Sequence, residues 1–267
     1  MIRKLTEADR QDVLTFLSKE PEINMYIIGD IKNFGFDQED QAIYAEFKDN
    51  TYYAVMARNL SHIVYYARDN NFNSAWLDVF NQFDYLFISG KASLMERINP
   101  LIHDMRPDRL MFMKSTTFTK DDSVDYTGIE ILQTEADARD VYALLNQIDE
   151  LDSVRQKTKD EFIQYLMDNS DGNGTTVFVK KDGIVVANAS AVHETEHTAM
   201  IVGVATHVDY RGQGLGRKVL HYLVDFYVNH KGKTLCLYYD DERAGALYKQ
   251  LGFISIADWI MLLKKDA

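Results

Sequence analysis

A single cysteine, Cys236, leaves this chain without a partner for an internal disulfide, so a reducing setting such as the cytoplasm is expected. Cys236 lies in the apolar run 234–239, where a packed small hydrophobe is expected rather than a nucleophile. Only three prolines interrupt the chain and 46% of its residues are apolar, a balance that indicates well-packed globular structure. Basic residues are the scarcer charge: 29 Lys and Arg against 41 Asp and Glu give a net charge of −12. That excludes nucleic acid as an expected partner, because neutralising phosphates needs a basic face. It suits a cationic substrate drawn by the general field. No stretch approaches the ~18–20 apolar residues of a membrane span, and the N-terminus lacks a cationic-then-apolar signal region. Cys/His spacing for zinc is missing as well. His193 and His197 stand four apart on strand-like sequence without the shared face of a helical pair, so no metal is expected.

What the chain does have is glycine at alternate positions. The stretch Val204-Ala205-Thr206-His207-Val208-Asp209-Tyr210-Arg211-Gly212-Gln213-Gly214-Leu215-Gly216-Arg217 runs from an apolar strand into an apolar-striped helix. Glycine reaches positive φ cheaply and lets a ligand approach the main chain. The first N–H groups of the helix have no internal partners and lie at its positive dipole end, so the loop suits a phosphate or pyrophosphate. A dinucleotide fold asks for Gly-x-Gly-x-x-Gly, and Arg217 stands where the third glycine belongs, although Asp240 falls about where the acidic ribose ligand would. A P-loop needs a following Gly-Lys-Ser/Thr, which is absent. A glycine-rich turn with no ligand is the plain alternative. Arg211, Arg217 and Lys218 add local basic charge beside the loop.

The downstream sequence narrows the choice. Leu215, Val219, Leu220, Leu223, Phe226 and Tyr227 recur at helical spacing up to about Val228, and Gly232 supplies the stop. The run 234–239 reads as a buried strand. Asp240 or Asp241 can cap a short helix through Ala244, Leu247, Tyr248 and Leu251, ended by Gly252, and a last strand runs from Phe253 to about Leu263.

This order resembles the GNAT N-acetyltransferase superfamily. Its acyl-CoA loop carries Arg/Gln-x-x-Gly-x-Gly/Ala, matched by Arg211, Gly214 and Gly216, and its second hallmark is matched by Ala244-x-x-Leu247-Tyr248-x-x-Leu251-Gly252-Phe253. Two positions depart: the usual proline before the aromatic-Arg-Gly step is Val208, and the usual asparagine three residues before Ala244 is Asp241.

The chain also repeats itself. Residues Thr6 to Leu17 align with Thr134 to Leu145 at seven identical positions of twelve, each copy following a short β-like segment, Ile2 to Leu5 and Ile129 to Leu132. In each, threonine caps a helix and the aspartate three residues on returns the bond. The first half continues with strand-like segments Ile43 to Phe47, Tyr52 to Ala57 and His62 to Ala67, an apolar run from Phe83 to Ser89, and a helix from Ala92 to about Met105 broken by Pro100. Gly90-Lys91 is taken as its counterpart of the glycine loop, and it has no Gly-x-Gly. Thr119 to Gly128 reads as a linker. The second half adds a helix opened by Thr158 and Glu161, then strands Val177 to Lys180, Ile184 to Val192 and Thr198 to Thr206, with a tight hairpin at 181–183.

The expected fold is therefore α/β of the α+β type: two GNAT-like domains, each a mixed, mostly antiparallel twisted sheet flanked by helices. Residues 1–125 form a degenerate copy and 126–267 the catalytic one. The resemblance implies transfer of an acetyl group from acetyl-CoA to a primary amine by direct attack in a ternary complex. The main chain of Val204, Ala205 and Thr206 would hold the pantetheine. Main-chain N–H groups of Gly212, Gln213, Gly214, Leu215, Gly216 and Arg217 would hold the pyrophosphate, and Arg211, the motif arginine, counts with them among the cofactor-binding residues. Tyr248 would protonate the leaving thiolate. Helical spacing puts Leu247 and Leu251 on one face of that helix and Tyr248 about a quarter turn away. The base stays open among His193, Glu194, Glu196 and water, and the acceptor between a small molecule and a peptide. Homo-oligomerisation also stays open. A non-catalytic acyl-CoA sensor using the same loop is the alternative function.

Overall fold

The computed structural model describes residues 1–36, 38–148, 151, 154 and 157–265, which build two compact units. The first contains Met1–Phe112, Tyr238–Asp240 and Ser255–Ala267; the second contains Met113–Leu237 and Asp241–Ile254. A contiguous boundary at 125/126 is thus not the one the fold uses. The last strand of the chain belongs to the first unit, and residues 113–125 belong to the second.

In the first unit the chain runs β1 (Ile2–Lys4), α1 (Arg10–Leu17), α2 (Met25–Phe34), β2 (Gln41–Lys48), β3 (Thr51–Asn59), β4 (His62–Ala67), α3 (Trp76–Phe80), β5 (Phe87–Lys91), α4 (Ala92–Ile98) and β6 (Met105–Ser115). Thr6 and Asp9 form the expected capping box, the Thr6 N–H donating to Asp9 Oδ2 at 2.9 Å. Asp49 and Asn50, at φ of +49° and +57°, make the two-residue turn that pairs β2 with β3. The expected long helix from Ala92 ends at Ile98 because Pro100 lacks an N–H and crowds the preceding turn. The chain then enters β6, a strand the sequence reading missed behind the Met105-Arg106-Pro107-Asp108-Arg109 start.

The sheet of this unit has the order β1-β2-β3-β4-β5-β12-β6, where β12 (Ile254–Lys264) is the last strand of the chain. β12 lies antiparallel to β5, from Trp259 opposite Lys91 to Leu263 opposite Phe87. Trp259 is 2% exposed. Its ring packs with Phe112 and Tyr238 at centroid distances of 5.6 and 5.4 Å, and those two rings stack at 4.4 Å. Three segments far apart in sequence therefore share one aromatic contact. Beneath the sheet, Tyr65, Trp76, Phe80, Met95 and Ile260 belong to one buried core.

The second unit runs β7 (Ile129–Ile131), α5 (Glu135–Leu145), α6 (Lys159–Asp168), β8 (Thr175–Lys181), β9 (Ile184–Val192), β10 (Thr198–Thr206), α7 (Leu215–Val224), β11 (Thr234–Tyr239) and α8 (Glu242–Gln250). The strands lie in the order β7-β8-β9-β10-β11, antiparallel except for the parallel β10–β11 pair. The predicted class, mixed α/β with a mostly antiparallel sheet and flanking helices, is the class observed. The Thr134–Asp137 box repeats the one at Thr6, with Asp137 N–H donating to Thr134 Oγ1 at 3.2 Å and Thr134 N–H donating to Asp137 Oδ2 at 3.1 Å. Asp182 and Gly183, at φ of +52° and +81°, close the expected β8–β9 hairpin. Residues 119–128 do not hang as a plain linker: they dock on α7, where the Asp121 N–H donates to His221 Nε2 at 3.1 Å.

Truncating Trp259 to alanine should empty the contact that joins β12, β6 and the end of β11. Chemical denaturation should show a loss of about 3–5 kcal/mol. A loss under about 1 kcal/mol would mean that the last strand is peripheral to the first unit.

Candidate acetyl-CoA site

The site is built where β10 leaves β11. Their parallel pairing covers only Thr198 to Met200 against Thr234 to Cys236, whereas β10 stays paired with β9 as far as Thr206. From Ile201 onward the β11-facing edge of β10 carries main-chain groups that β11 does not use. The cause of the divergence is a bulge. Val202 faces Ser190, yet Ala205 faces Asn188, so β10 spends one more residue than β9 over the same span. Gly203 sits in that bulge at φ +62°, and its carbonyl accepts from the Nδ2 of fully buried Asn188 at 2.8 Å. Asn188 escaped the sequence reading; nothing in its strand-like surroundings distinguishes it from a core residue.

After Thr206 a short turn at Val208–Tyr210 leads to the glycines, which do two different things. Gly212 and Gly214 have φ of +77° and +74°, with open space where a side chain would project. Gly214 caps α7 in the left-handed conformation, and its carbonyl accepts the first bond of the helix, from Lys218 N–H at 2.9 Å. Gly216 lies inside the first helical turn instead, where a Cβ would come within 2.7 Å of Thr206 Oγ1. It lets the helix start close against the end of β10. The leading N–H groups of α7 thus face a bare backbone, and the residues present fit an anion at that end.

Side chains brace this loop. The Arg211 Nε donates back to the Thr206 carbonyl at 3.2 Å. From the β8–β9 hairpin, Lys181 Nζ donates to Gln213 Oε1 at 3.0 Å, and the Tyr210 hydroxyl donates to Asp182 Oδ2 at 3.2 Å. Lys181 is a basic neighbour that only the pairing of β8 with β9 brings here. The expected basic cluster is smaller than the sequence suggests. Arg217 is turned to Asp121 at 2.9 Å, and Lys218 Nζ donates to the Thr127 carbonyl at 2.6 Å. Both serve the docked segment, so Arg217 is left to the site by its main-chain N–H.

That segment meets α7 through a neutral imidazole. His221 Nε2 accepts from Asp121 N–H, so Nδ1 carries the proton and donates to the Tyr126 oxygen at 2.8 Å; the Tyr126 hydroxyl donates in turn to Asp225 Oδ2 at 3.1 Å. Burial, then the charge of Arg217, holds the His221 pKa below its ordinary 6.5. Asp121 is held down to about 2 by the Ser123 hydroxyl and then by Arg217.

The three candidate bases are not equivalent. Burial raises the Glu194 pKa, but hydrogen bonds from Lys233, Lys231 and Tyr227 outweigh it and hold the carboxylate below its ordinary value. With Lys233 Nζ at 2.7 Å, Lys231 Nζ at 2.9 Å and the Tyr227 hydroxyl at 2.7 Å, Glu194 is a structural anion rather than a ready base. Glu196 is exposed and stands 3.9 Å from His197 Nε2. His193 is exposed at φ +49° in the β9–β10 turn.

Tyr248 lies on the buried side of α8. The helix buries Gly245 and Tyr248, Leu247 is half-buried, and Leu251 just past its end is 3% exposed, so the packed side runs through Tyr248 as well as Leu251. The Tyr248 ring is 7% exposed and meets Phe253 edge-on at 6.0 Å. Asp241 is the N-cap of α8, accepting from Arg243 and Ala244 N–H at 2.7 and 3.0 Å. An aspartate in place of the usual asparagine therefore keeps its cap. Cys236 is fully buried in β11. Among the described residues no group of three His, Cys, Asp or Glu side chains is placed to hold a metal ion, and no helix is long and apolar enough to cross a membrane.

The first unit, among its described residues, has no glycine turn after the matching strand. Its topology corrects the counterpart of the glycine loop: Gly90-Lys91 joins β5 to α4, and the junction that follows the fourth strand is Arg68 to Ala75, which contains no glycine. Pairing of β4 with β5 also stops early, at Val64 opposite Ser89. There, however, the backbones stay close, since a Cβ on Gly90 would lie 2.6 Å from the Tyr65 carbonyl oxygen, and Tyr65, Tyr66 and Ala67 are buried.

Known proteins agree with this geometry. Residues 138–253 match the acetyltransferase (GNAT) family. Solved structures with the same fold include a GCN5-related N-acetyltransferase from Sphaerobacter thermophilus, with TM-score 0.68 and 14% identity over 98% of this chain and 94% of that one. A Drosophila protein aligns with TM-score 0.69 and 11% identity over 100% and 99% of the two chains. A tandem GNAT protein from the clavulanic acid biosynthesis pathway aligns with TM-score 0.60 and 11% identity over 98% and 97%. None of the curated proteins matches the sequence. The family match falls on the half of the chain that carries the glycine turn, and the shared fold includes that half. GNAT acetyltransferases use acetyl-CoA as co-substrate, and N-acetyl transfer is their general kind of reaction.

Because His221 is held neutral, protonation favours the unfolded chain. Its contribution to stability is complete above pH 6.5 and falls as pH drops below that value toward the lowered folded pKa. Unfolding free energies of the wild type minus those of His221→Gln, measured between about pH 7.5 and pH 5, should therefore decrease with acidification. A difference that does not change with pH would remove the imidazole from this role.

Proposed function

We propose that the protein is an acetyl-CoA-dependent N-acetyltransferase acting on a primary amine, with one working site per chain, in the second unit. The observation that carries the reading is the divergence of β10 from β11 directly before an open glycine turn. A linear main-chain edge thereby leads into a positive helix end, as a pantetheine arm ending in a pyrophosphate requires. Val204, Ala205 and Thr206 offer the edge. The N–H groups from Gly212 to Arg217 offer the anion cradle, and Arg211 steadies the turn by its bond to Thr206. Bound there, acetyl-CoA supplies the activated acyl group.

The remaining chemistry belongs to protons. Tyr248 is the proposed proton donor to the departing sulfur, since a phenol is protonated at neutral pH and this ring is fixed by its contact with Phe253. With Glu194 held by two lysines, proton removal from the amine falls to His193, Glu196 or water. The acidic surface favours a cationic acceptor in encounter. Residues 1–112 have an apolar-filled counterpart and no glycine loop, which supports a single cofactor site.

Calorimetry on the full chain should show one acetyl-CoA per protein, and Gly214→Val should abolish the binding by filling the open backbone. Two equivalent sites, or undiminished binding by Gly214→Val, would contradict the assignment. In an acetylation screen against amines, Tyr248→Phe should keep acetyl-CoA affinity within a few-fold while turnover drops by roughly 10²-fold or more. Unchanged turnover would move the proton donor elsewhere. Tight cofactor binding with no turnover on any amine would replace the enzyme by an acyl-CoA sensor.

A further inference from the structure

Beyond the C-terminal end of α7 lies a cavity of ≈ 220 Å³ lined by Lys120, Tyr126, Tyr222, Asp225, Phe226 and His230. Three of its six residues are aromatic. Tyr126 meets Tyr222 edge-on at 5.1 Å, and Tyr222 lies parallel to Phe226, 9° off, at 6.3 Å. The carboxylate among them is only 4% exposed. Asp225 Oδ1 accepts from Asn229 Nδ2 at 2.8 Å and Oδ2 from the Tyr126 hydroxyl at 3.1 Å. Among the described residues, no guanidinium or ammonium closes on it at hydrogen-bonding distance.

One ammonium does stand at the mouth. Lys120 Nζ is 3.6 Å from Asp225 Oδ2 and 4.7 Å from the centre of the Tyr126 ring, and its side chain is 43% exposed. It touches an aromatic face and a buried carboxylate together without a proper hydrogen bond to either. Lys231, at 5.2 Å from the Phe226 centroid, is already paired with Glu194. A half-exposed lysine on a polar, irregular segment is an easily displaced occupant.

We propose that this cavity is a binding site for a small alkylammonium ion, and that Lys120 is an intramolecular competitor for it. Aromatic faces attract cations, and more strongly when water is excluded. A carboxylate so little exposed gains from a cation that reaches it directly. The site stands apart from acetyl transfer: Asp225 lies ten residues along the helix from Leu215, about 15 Å from the glycine turn. It therefore does not rest on the enzymatic reading.

Calorimetric titration of the full chain with n-propylammonium and with tetramethylammonium chloride, against sodium chloride at equal ionic strength, tests this. Both should bind with Kd in about the millimolar range, n-propylammonium tighter because its N–H groups can donate to Asp225. Lys120→Ala should tighten binding by about 3- to 10-fold, since it removes a tethered competitor. Tyr222→Leu should weaken it by about fivefold or more, with circular dichroism confirming the fold; Phe226→Leu is the substitute if that variant does not fold. Absence of binding in Lys120→Ala up to about 50 mM, well past a millimolar Kd, would overturn the proposal. So would equal affinity in the wild type and Lys120→Ala, or in the wild type and the aromatic variant.

Discussion

The whole candidate site depends on one extra residue in β10. The bulge at Gly203 turns the strand away from β11 after Met200, and only that divergence exposes a main-chain edge to a ligand. Its hold is the bond from fully buried Asn188 to the carbonyl of half-buried Gly203, which gives the buried Asn188 amide a partner it would be costly to lose. Gly203 is needed for its φ of +62°, and a Cβ there would press on Asn188 Nδ2 at 3.4 Å. Remove the bulge and the two parallel strands have no reason to separate, and the glycine turn would then end a closed sheet.

The proposed cradle is compatible with an acidic protein because its attraction for an anion would be local and would come from the main chain. The net charge of −12 spreads over the surface, while the cradle uses aligned N–H groups at the start of α7. The basic side chains near it are employed as braces. Arg211 ties the turn to Thr206, Lys181 ties the hairpin to Gln213, and Arg217 and Lys218 fasten residues 121–127 to the helix. The loop is thereby held in place before a ligand arrives, which spares binding the cost of ordering it.

Much of the second unit was legible because its signals are local. The alternate glycines, the Thr134 and Thr158 capping boxes and the Asp182-Gly183 hairpin each follow from conformational preferences of a few adjacent residues. The residues that carry the cofactor reading were visible for the same reason. What escaped depends on contacts distant in sequence. Nothing near Trp259 says that β12 will pair with β5, so a contiguous boundary was the natural expectation. Arg217 looked like a phosphate ligand until Asp121 was brought to it. Helical spacing sets Tyr248 a quarter turn from Leu247 and Leu251, but it does not say how much of the helix is covered: Tyr248 and Leu251 are both buried while Leu247 is half-buried. In the first unit, the counterpart of the glycine loop was sought at the one glycine of the region, Gly90, whereas strand order puts it at Arg68 to Ala75.

The central claim is that β10 and the glycine turn of the second unit form the one acetyl-CoA site. Backbone amide chemical shifts followed during acetyl-CoA addition test it most directly. The account predicts large changes at Val202 to Thr206 and at Gly212 to Arg217, with none at Arg68 to Ala75. Saturable binding that perturbs the Arg68 to Ala75 junction, or that leaves the glycine turn unchanged, would contradict it.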